Sequence, residues 1–209
     1  MLSQEEIDKI YEMMEDTIIF LDKLNINHMI ICGTALGQAR NSGFIPWDND
    51  VDFGIHIKDA NIIWDNRKQL ENKGYHIIKA DIGFKMGTGD INHKATINKE
   101  NITIGPTNPY TGVNQDIFFL REDENATDGT PIMKYTSKRA RNSWPTEVIP
   151  ISGWYNPVIR KFGGYNVKIL PDKELNWYLT SSYGPLWKTH DAENKEITNT
   201  KCLLHSSNK

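Results

Sequence analysis

The sequence predicts an α+β fold, in which helices and short strands share one domain. Two observations carry that prediction. Strong helical periodicity opens the chain, and from Tyr75 to Leu120 the pattern turns to short strands separated by turn residues. A third observation puts chemistry on one strand. Asp48, Asp50 and Asp52 stand at alternate positions just after the Gly43-Phe44-Ile45-Pro46 turn. In a strand these three share a face, while Val51 and Phe53 point the other way into a core.

Ser3 with Glu6 forms a capping box. Behind it Ile7, Ile10, Tyr11, Met14, Ile18, Leu21 and Leu24 recur at helical spacing, predicting an amphipathic helix to about Leu24. Residues 28–32 form an apolar run of strand length, ended by Gly33. Residues 34–40 read as a short helix or turn that Thr34 can cap. Residues 49–57 form the strand bearing the carboxylates. Asp59 is placed to cap a second helix running to Lys73, which Gly74 closes.

Strands follow at 75–79, 83–86, 93–98 and 115–120, and 121–130 reads as an acidic, polar loop. Residues 133–144 are basic, with Pro145 after them. A last strand occupies 166–170, and Pro171-Asp172 opens a helix through Leu175, Tyr178 and Leu179 that Tyr183-Gly184-Pro185 stops. No repeat, low-complexity tract or linker interrupts the pattern. Residues 1–188 are therefore expected to form one domain and 189–209 a polar tail.

At 209 residues the chain is long enough for one well-packed domain. Its 38% hydrophobic and 24% charged residues match ordinary globular composition and exclude a disordered chain. A net charge of −3 gives no global argument for nucleic acid, so any phosphate recognition must be local. No apolar run approaches the roughly 20 residues of a membrane span. Met1 to Lys9 is acidic and amphipathic rather than a signal peptide, and the expected compartment is the cytoplasm. Cys32 and Cys202 make no disulfide framework; Cys32, in an apolar run, is expected to be a reduced, buried thiol.

Clustered carboxylates repel and tend to hold protons unless a cation compensates them. An all-oxygen set suits a hard divalent ion, Mg²⁺ or Mn²⁺, far better than zinc. An EF-hand loop does not fit, because Phe53 stands at the glycine position and Asp59 at the twelfth. A solvated acidic turn does not suit the interleaved Val51, Phe53 and Ile55. The Asp-x-Asp of a metal-dependent sugar transferase usually follows a longer nucleotide-binding region than the single helix and strand found here, and stays a minor alternative.

Asp116, a lone acid between Gln115 and Ile117 in an apolar strand, is the candidate third ligand or a general base. The bland alternative is a strand-end acid bonding a backbone N–H. Gly33-Thr34 suits a backbone that approaches a phosphate, and a plain strand-to-helix turn reads the same way. Arg40 and Lys94 are candidate phosphate-binding cations, although Lys94 also reads as an edge-strand lysine facing water. Lys134, Lys138, Arg139 and Arg141 form a basic group that equally describes a solvated face. Trp47, Trp144, Trp154 and Tyr155 are either stacking surfaces or core.

With those residues placed, the chain resembles the LicD/fukutin family of phosphotransferases, within the nucleotidyltransferase-fold superfamily. Gly33-Thr34, Leu36-Gly37 and Arg40, followed by Gly43-Phe44-Ile45-Pro46-Trp47-Asp48-Asn49-Asp50-Val51-Asp52, match the family signature, with Asn49 in place of an acid. Phe162, Val167, Pro171, Leu179, Tyr183, Gly184 and Trp187 look like its end. The resemblance implies a nucleotidyltransferase-like fold with a mixed, mainly antiparallel sheet flanked by helices. It implies transfer of a phospho-alcohol, such as phosphocholine, glycerol phosphate or ribitol phosphate, from a CDP-linked donor to a glycan hydroxyl. Asp50 and Asp52, with Asp48 beside them, would hold Mg²⁺ or Mn²⁺ on the donor pyrophosphate. Asp116 would complete the metal site or take the acceptor proton, and Gly33, Thr34, Arg40 and Lys94 would serve the phosphates. A nucleotidyltransferase acting on a small molecule would use the same acids; an inactive glycan- or nucleotide-binding member is the non-enzymatic alternative, which retention of Asp48, Asp50, Asp52 and Asp116 disfavours.

Overall fold

Ser3 closes the expected capping box: its Oγ accepts from the Glu6 N–H, while the Glu6 carboxylate accepts from the Ser3 N–H. Helix α1 (Gln4–Lys23) follows and buries Ile10, Met13, Met14, Thr17, Phe20 and Leu21 along one stripe. The computed structural model describes residues 3–91, 96–97, 102–103, 109–123 and 129–189. No helix among the described residues is long and apolar enough to cross a membrane.

The main sheet contains β1 (His28–Ile30), β2 (Asp50–His56), β3 (His76–Ala80), β4 (Gly83–Gly87), β5 (Thr96–Ile97), β6 (Ile102–Thr103), β7 (Asn114–Asp123), β8 (Ile132–Tyr135) and β9 (Ile149–Pro150). Their order is β1-β2-β7-β4-β3-β6-β5, and β8 pairs with both β7 and β9. β2 runs parallel to β7, and β3 to β6; the other pairings are antiparallel. The sheet is therefore mixed and mainly antiparallel.

Register places the chemistry. Asp52 lies opposite Asp116, which lies opposite Lys85 on its other side. Side chains opposite one another share a face, so these three make a row. The intervening residues Val51, Phe53 and Ile55 are buried in the core. Gln115 is fully buried too, and its Nε2 donates to Thr17 Oγ1 at 2.7 Å, tying β7 to α1. The polar row thus has an apolar, helix-covered backing.

The other elements are α2 (Cys32–Asn41), α3 (Ala60–Asn66), α4 (Lys68–Glu71), α5 (Lys138–Ser143), α6 (Ile151–Trp154), the hairpin strands β10 (Val158–Phe162) and β11 (Tyr165–Ile169), and α7 (Asp172–Tyr183). Several expectations change here. The helix expected to run to Lys73 is divided into α3 and α4 at Arg67, whose N–H reaches back three residues to the Trp64 carbonyl in a tightened turn. Asp59 makes no cap bond; the His56 side chain instead accepts from the Lys58 N–H in a short 3-10 turn at Ile57–Asp59. The first residues of the predicted 121–130 loop belong to β7, because β8 pairs with them. Within predicted strand 93–98, only Thr96–Ile97 lie among the described residues.

Hairpin β10–β11 turns through Gly163 (φ +57°) and Gly164 (φ +98°), the left-handed pair that a two-residue turn requires. A Cβ on Gly163 would sit 2.1 Å from the Tyr11 ring, so no side chain fits there. Tyr11 stacks on Tyr165 and packs against Phe44 and Phe162, locking the hairpin to α1.

Candidate functional site

The site is built where β2 and β7 run side by side and α2 begins. One carboxylate oxygen each from Asp50, Asp52 and Asp116 lie within 4.8 Å of one another. Burial pushes all three carboxyls up, and repulsion from neighbouring acids adds to it at Asp50 and Asp52. Asp52, enclosed by protein with part of its surface open, rises well above the ordinary carboxylate range through burial first and then through Asp50 and Asp116. Asp50 rises through burial and Asp116, and is drawn back by Lys85. Asp116 rises through burial, opposed by Lys85, whose Nζ lies 2.6 Å from each of its two oxygens.

Asp48 precedes β2 instead of lying on it. Its N–H donates to the Ile45 carbonyl at 2.8 Å, and its carboxyl shares a hydrogen bond with Asp50. Burial, then Asp50, raise it to about 7. Its Oδ2 would lie 2.8 Å from a Cβ on Gly33, so the missing side chain at Gly33 is what admits Asp48 to the head of α2.

That helix head is held by side chains from distant parts of the chain. Cys32 adopts φ +52° despite its side chain, a conformation that persists only where the surroundings enforce it. Its N–H donates to Tyr178 Oη at 2.8 Å, and its Sγ donates to Glu147 at 3.2 Å. Tyr135 donates to the same carboxylate, and Tyr183 does so at 3.3 Å. Burial raises Glu147, while these bonds pull it down. Burial, then Glu147, also raise the Cys32 thiol well above its usual value.

Other expected residues go elsewhere. Thr34 is 1% exposed, and its Oγ1 accepts from the Asp52 N–H at 2.9 Å, so its hydroxyl aligns β2 and is not open to a phosphate. Arg40 stands at the far end of α2, about 10 Å along the axis from Gly33 by helical rise. There it donates to the Trp187 carbonyl. Lys94 lies outside the described residues, as do Cys202 and all but the first residue of the expected tail. Lys134 pairs with Asp123, and Arg141 donates to the Tyr135 and Thr136 carbonyls. Trp154 is core and Trp144 packs on Phe118, whereas Trp47 is 41% exposed.

Sequence reasoning missed Lys85 and the Glu147 group. Lys85 carried the signal used for Asp116, a lone charge in an apolar strand (Gly83-Phe84-Lys85-Met86). Glu147 carried none, because its partners are 12 to 115 residues away.

This sheet, with acids meeting from a parallel strand pair at the head of a helix, defines a nucleotidyltransferase-like domain. The chain belongs to the LicD/FKTN/FKRP family, whose nucleotidyltransferase domain matches residues 25–169, more than half of its length. Two uncharacterised proteins are similar in part: one of Rickettsia typhi, 37% identical over 76 residues, and one of Rickettsia prowazekii, 40% identical over 68. The matched segments span 36% and 32% of this chain and 25% and 26% of those relatives. Among solved structures, it is similar to the lincosamide antibiotic adenylyltransferase LnuA (TM-score 0.40, 10% identity, 95% of this chain and 97% of that one). It is also similar to the antibiotic-resistance factor ANT(2'')-Ia (TM-score 0.47, 13% identity, 95% and 85%). A nucleotidyltransferase-like protein from Paracoccidioides brasiliensis is a third (TM-score 0.44, 14% identity, 98% and 77%).

Proposed function

We propose that this protein is a divalent-metal-dependent transferase that moves a phospho-alcohol from a CDP-linked donor to a glycan hydroxyl. The observation that carries the reading is the convergence of Asp50, Asp52 and Asp116 oxygens within 4.8 Å. The residues fit a metal: the donor set is all oxygen, as Mg²⁺ or Mn²⁺ prefers. All three carboxyls are also raised, a stress that a cation relieves. Asp50, Asp52 and Asp116 would hold the ion, with Asp48 adjoining. When bound, such an ion neutralises the donor phosphates and polarises them toward attack.

The chain's own residues supply position and charge, which phosphoryl transfer needs more than covalent help. The first-turn N–H of α2 at Gly33 has no intrahelical carbonyl and suits an anionic oxygen. Asp48 and Asp50, sharing one hydrogen bond, can give up a proton as the site loads. Asp116, with both oxygens accepting from Lys85, suits a fixed ligand better than a free general base.

A donor screen tests the reading. Purified protein with Mg²⁺ and a panel of sugars is offered CDP-choline, CDP-glycerol, CDP-ribitol and CDP-ethanolamine, and CMP is measured. CMP release from one donor is expected, and none from Asp50→Ala or Asp52→Ala. Pyrophosphate release from a nucleoside triphosphate, with no CMP from any donor, would instead make it a nucleotidyltransferase.

A further inference from the structure

Lys85 is the charged group that the metal reading leaves unexplained. It stands on β4 in the row Asp52–Asp116–Lys85, and its Nζ contacts both Asp116 oxygens at 2.6 Å. The pair is sheltered, with the lysine side chain 16% and the aspartate side chain 11% exposed. The backbone beneath it is pinned, since Tyr110 Oη donates to the Lys85 carbonyl at 2.8 Å. The Tyr110 ring in turn fills the space where a Gly87 side chain would lie. Any movement of the ammonium therefore comes from its own flexible stem.

We propose that Lys85 is a built-in counter-ion of the metal centre. It holds Asp116 in the metal-free protein and opposes the incoming divalent ion. Once the ion shares Asp116, it offers its ammonium to the phosphates of the substrate. The inference rests on the metal reading above.

Three physical points lead there. A carboxylate has about four lone-pair sites, so Asp116 can serve Lys85 and a second cation together. Two cations on one sheltered carboxylate repel, and that repulsion sets how tightly the second binds. Lysine is a compact point charge on a four-carbon stem, the form in which proteins often present a cation to phosphate. Of the other cations named for that role, Arg40 is engaged at the far end of α2; Lys94 lies outside the described residues.

Lys85→Met removes the charge and keeps most of the stem. The experiment titrates Mn²⁺ into the 209-residue protein at fixed pH, then inorganic pyrophosphate into the Mn²⁺-loaded protein. The variant should bind Mn²⁺ about tenfold more tightly, as expected on removing a like charge at this range. It should bind pyrophosphate about tenfold more weakly once loaded, on losing a charge-assisted bond. Effects of opposite sign distinguish this role from a structural one, which would weaken both. Unchanged or weaker Mn²⁺ binding overturns the proposal, as does unchanged pyrophosphate binding. If Lys85→Met does not fold, Lys85→Arg keeps the charge and should bind Mn²⁺ as the parent does; tighter binding by that variant also overturns it. A parent protein that takes up no Mn²⁺ overturns the metal reading itself, which is a separate result.

Discussion

Asp52 and Asp116 face one another across two parallel strands, yet their loss should move stability in opposite directions. Asp52 is enclosed and raised well above its ordinary range, by burial first and then by Asp50, Asp116, Asp48 and Glu147. In the metal-free protein at neutral pH, Asp52→Asn should therefore stabilise by on the order of 1 kcal/mol, as repulsion falls. Asp116→Asn leaves Lys85 a sheltered cation without its carboxylate, and should cost about 1–3 kcal/mol. Denaturant unfolding of both variants checks the pair of signs; a gain for Asp116→Asn would contradict the Lys85 contact. Both variants should lose CMP release, which separates chemistry from stability. At Gly33 the constraint is volume. Gly33→Ala would press a methyl to 2.8 Å from Asp48 Oδ2, so activity should fall more than stability.

At the scale of elements, the Glu147 carboxylate joins the head of α2, strand β8 and the end of α7 through Cys32, Tyr135 and Tyr183. Glu147→Ala strands these donors and opens a void. The expected cost is about 2–4 kcal/mol. For a domain of this size that lowers the melting temperature by roughly 5–15 °C. Hydrogen exchange should quicken in α7 and at the start of α2 together, whereas a purely local effect would leave α7 protected. The elements themselves were legible to different degrees. Helix α1 was plain, because a capping box and a long apolar stripe agree. α2 begins two residues before the expected 34–40 segment, because Cys32 starts it in a conformation that a tyrosine on α7 supports. Strand β10 was missed although Gly163-Gly164 marked its turn; its outward residues include exposed Ile159, which blurs the alternation.

The whole molecule carries two opposed pH dependences. Asp48, Asp50, Asp52 and Asp116 all have raised folded-state values, from an ordinary 3.8 to about 7 for Asp48. The metal-free fold therefore binds more protons than the unfolded chain in that window. Its stability from these groups is full below the ordinary value and is lost as pH rises through the folded ones. Buried His28 works the other way. Burial lowers it from 6.5 to about 4, so its contribution is lost as pH falls through that range. Subtracting the melting curve without Mg²⁺ from the curve with it cancels His28 and isolates the acids. The gap should widen from about pH 5 to about pH 8. At a hundredfold excess over the dissociation constant, binding adds about 2.7 kcal/mol, or roughly 5–10 °C. A gap that is flat or narrows with pH would contradict the metal site.

The sequence by itself determined what depends on local pattern. Alternation put Asp50 and Asp52 on one face of a strand with Val51 and Phe53 in the core, and the long segment from Gly33 to Asp52 pointed to the family. A lone acid in an apolar strand marked Asp116. What only the tertiary structure decided depends on register and on contacts between remote segments. The parallel pairing of β2 with β7 sets Asp116 opposite Asp52, and the antiparallel pairing of β4 adds Lys85 to the same row. It also took the folded chain to turn Thr34 inward onto the Asp52 N–H, to send Arg40 to Trp187, and to gather Glu147 with its phenols. Periodicity reports which way a side chain points from its own backbone. It holds no record of which other strand or helix will stand opposite, and that is the information an ion pair or a buried hydrogen bond requires.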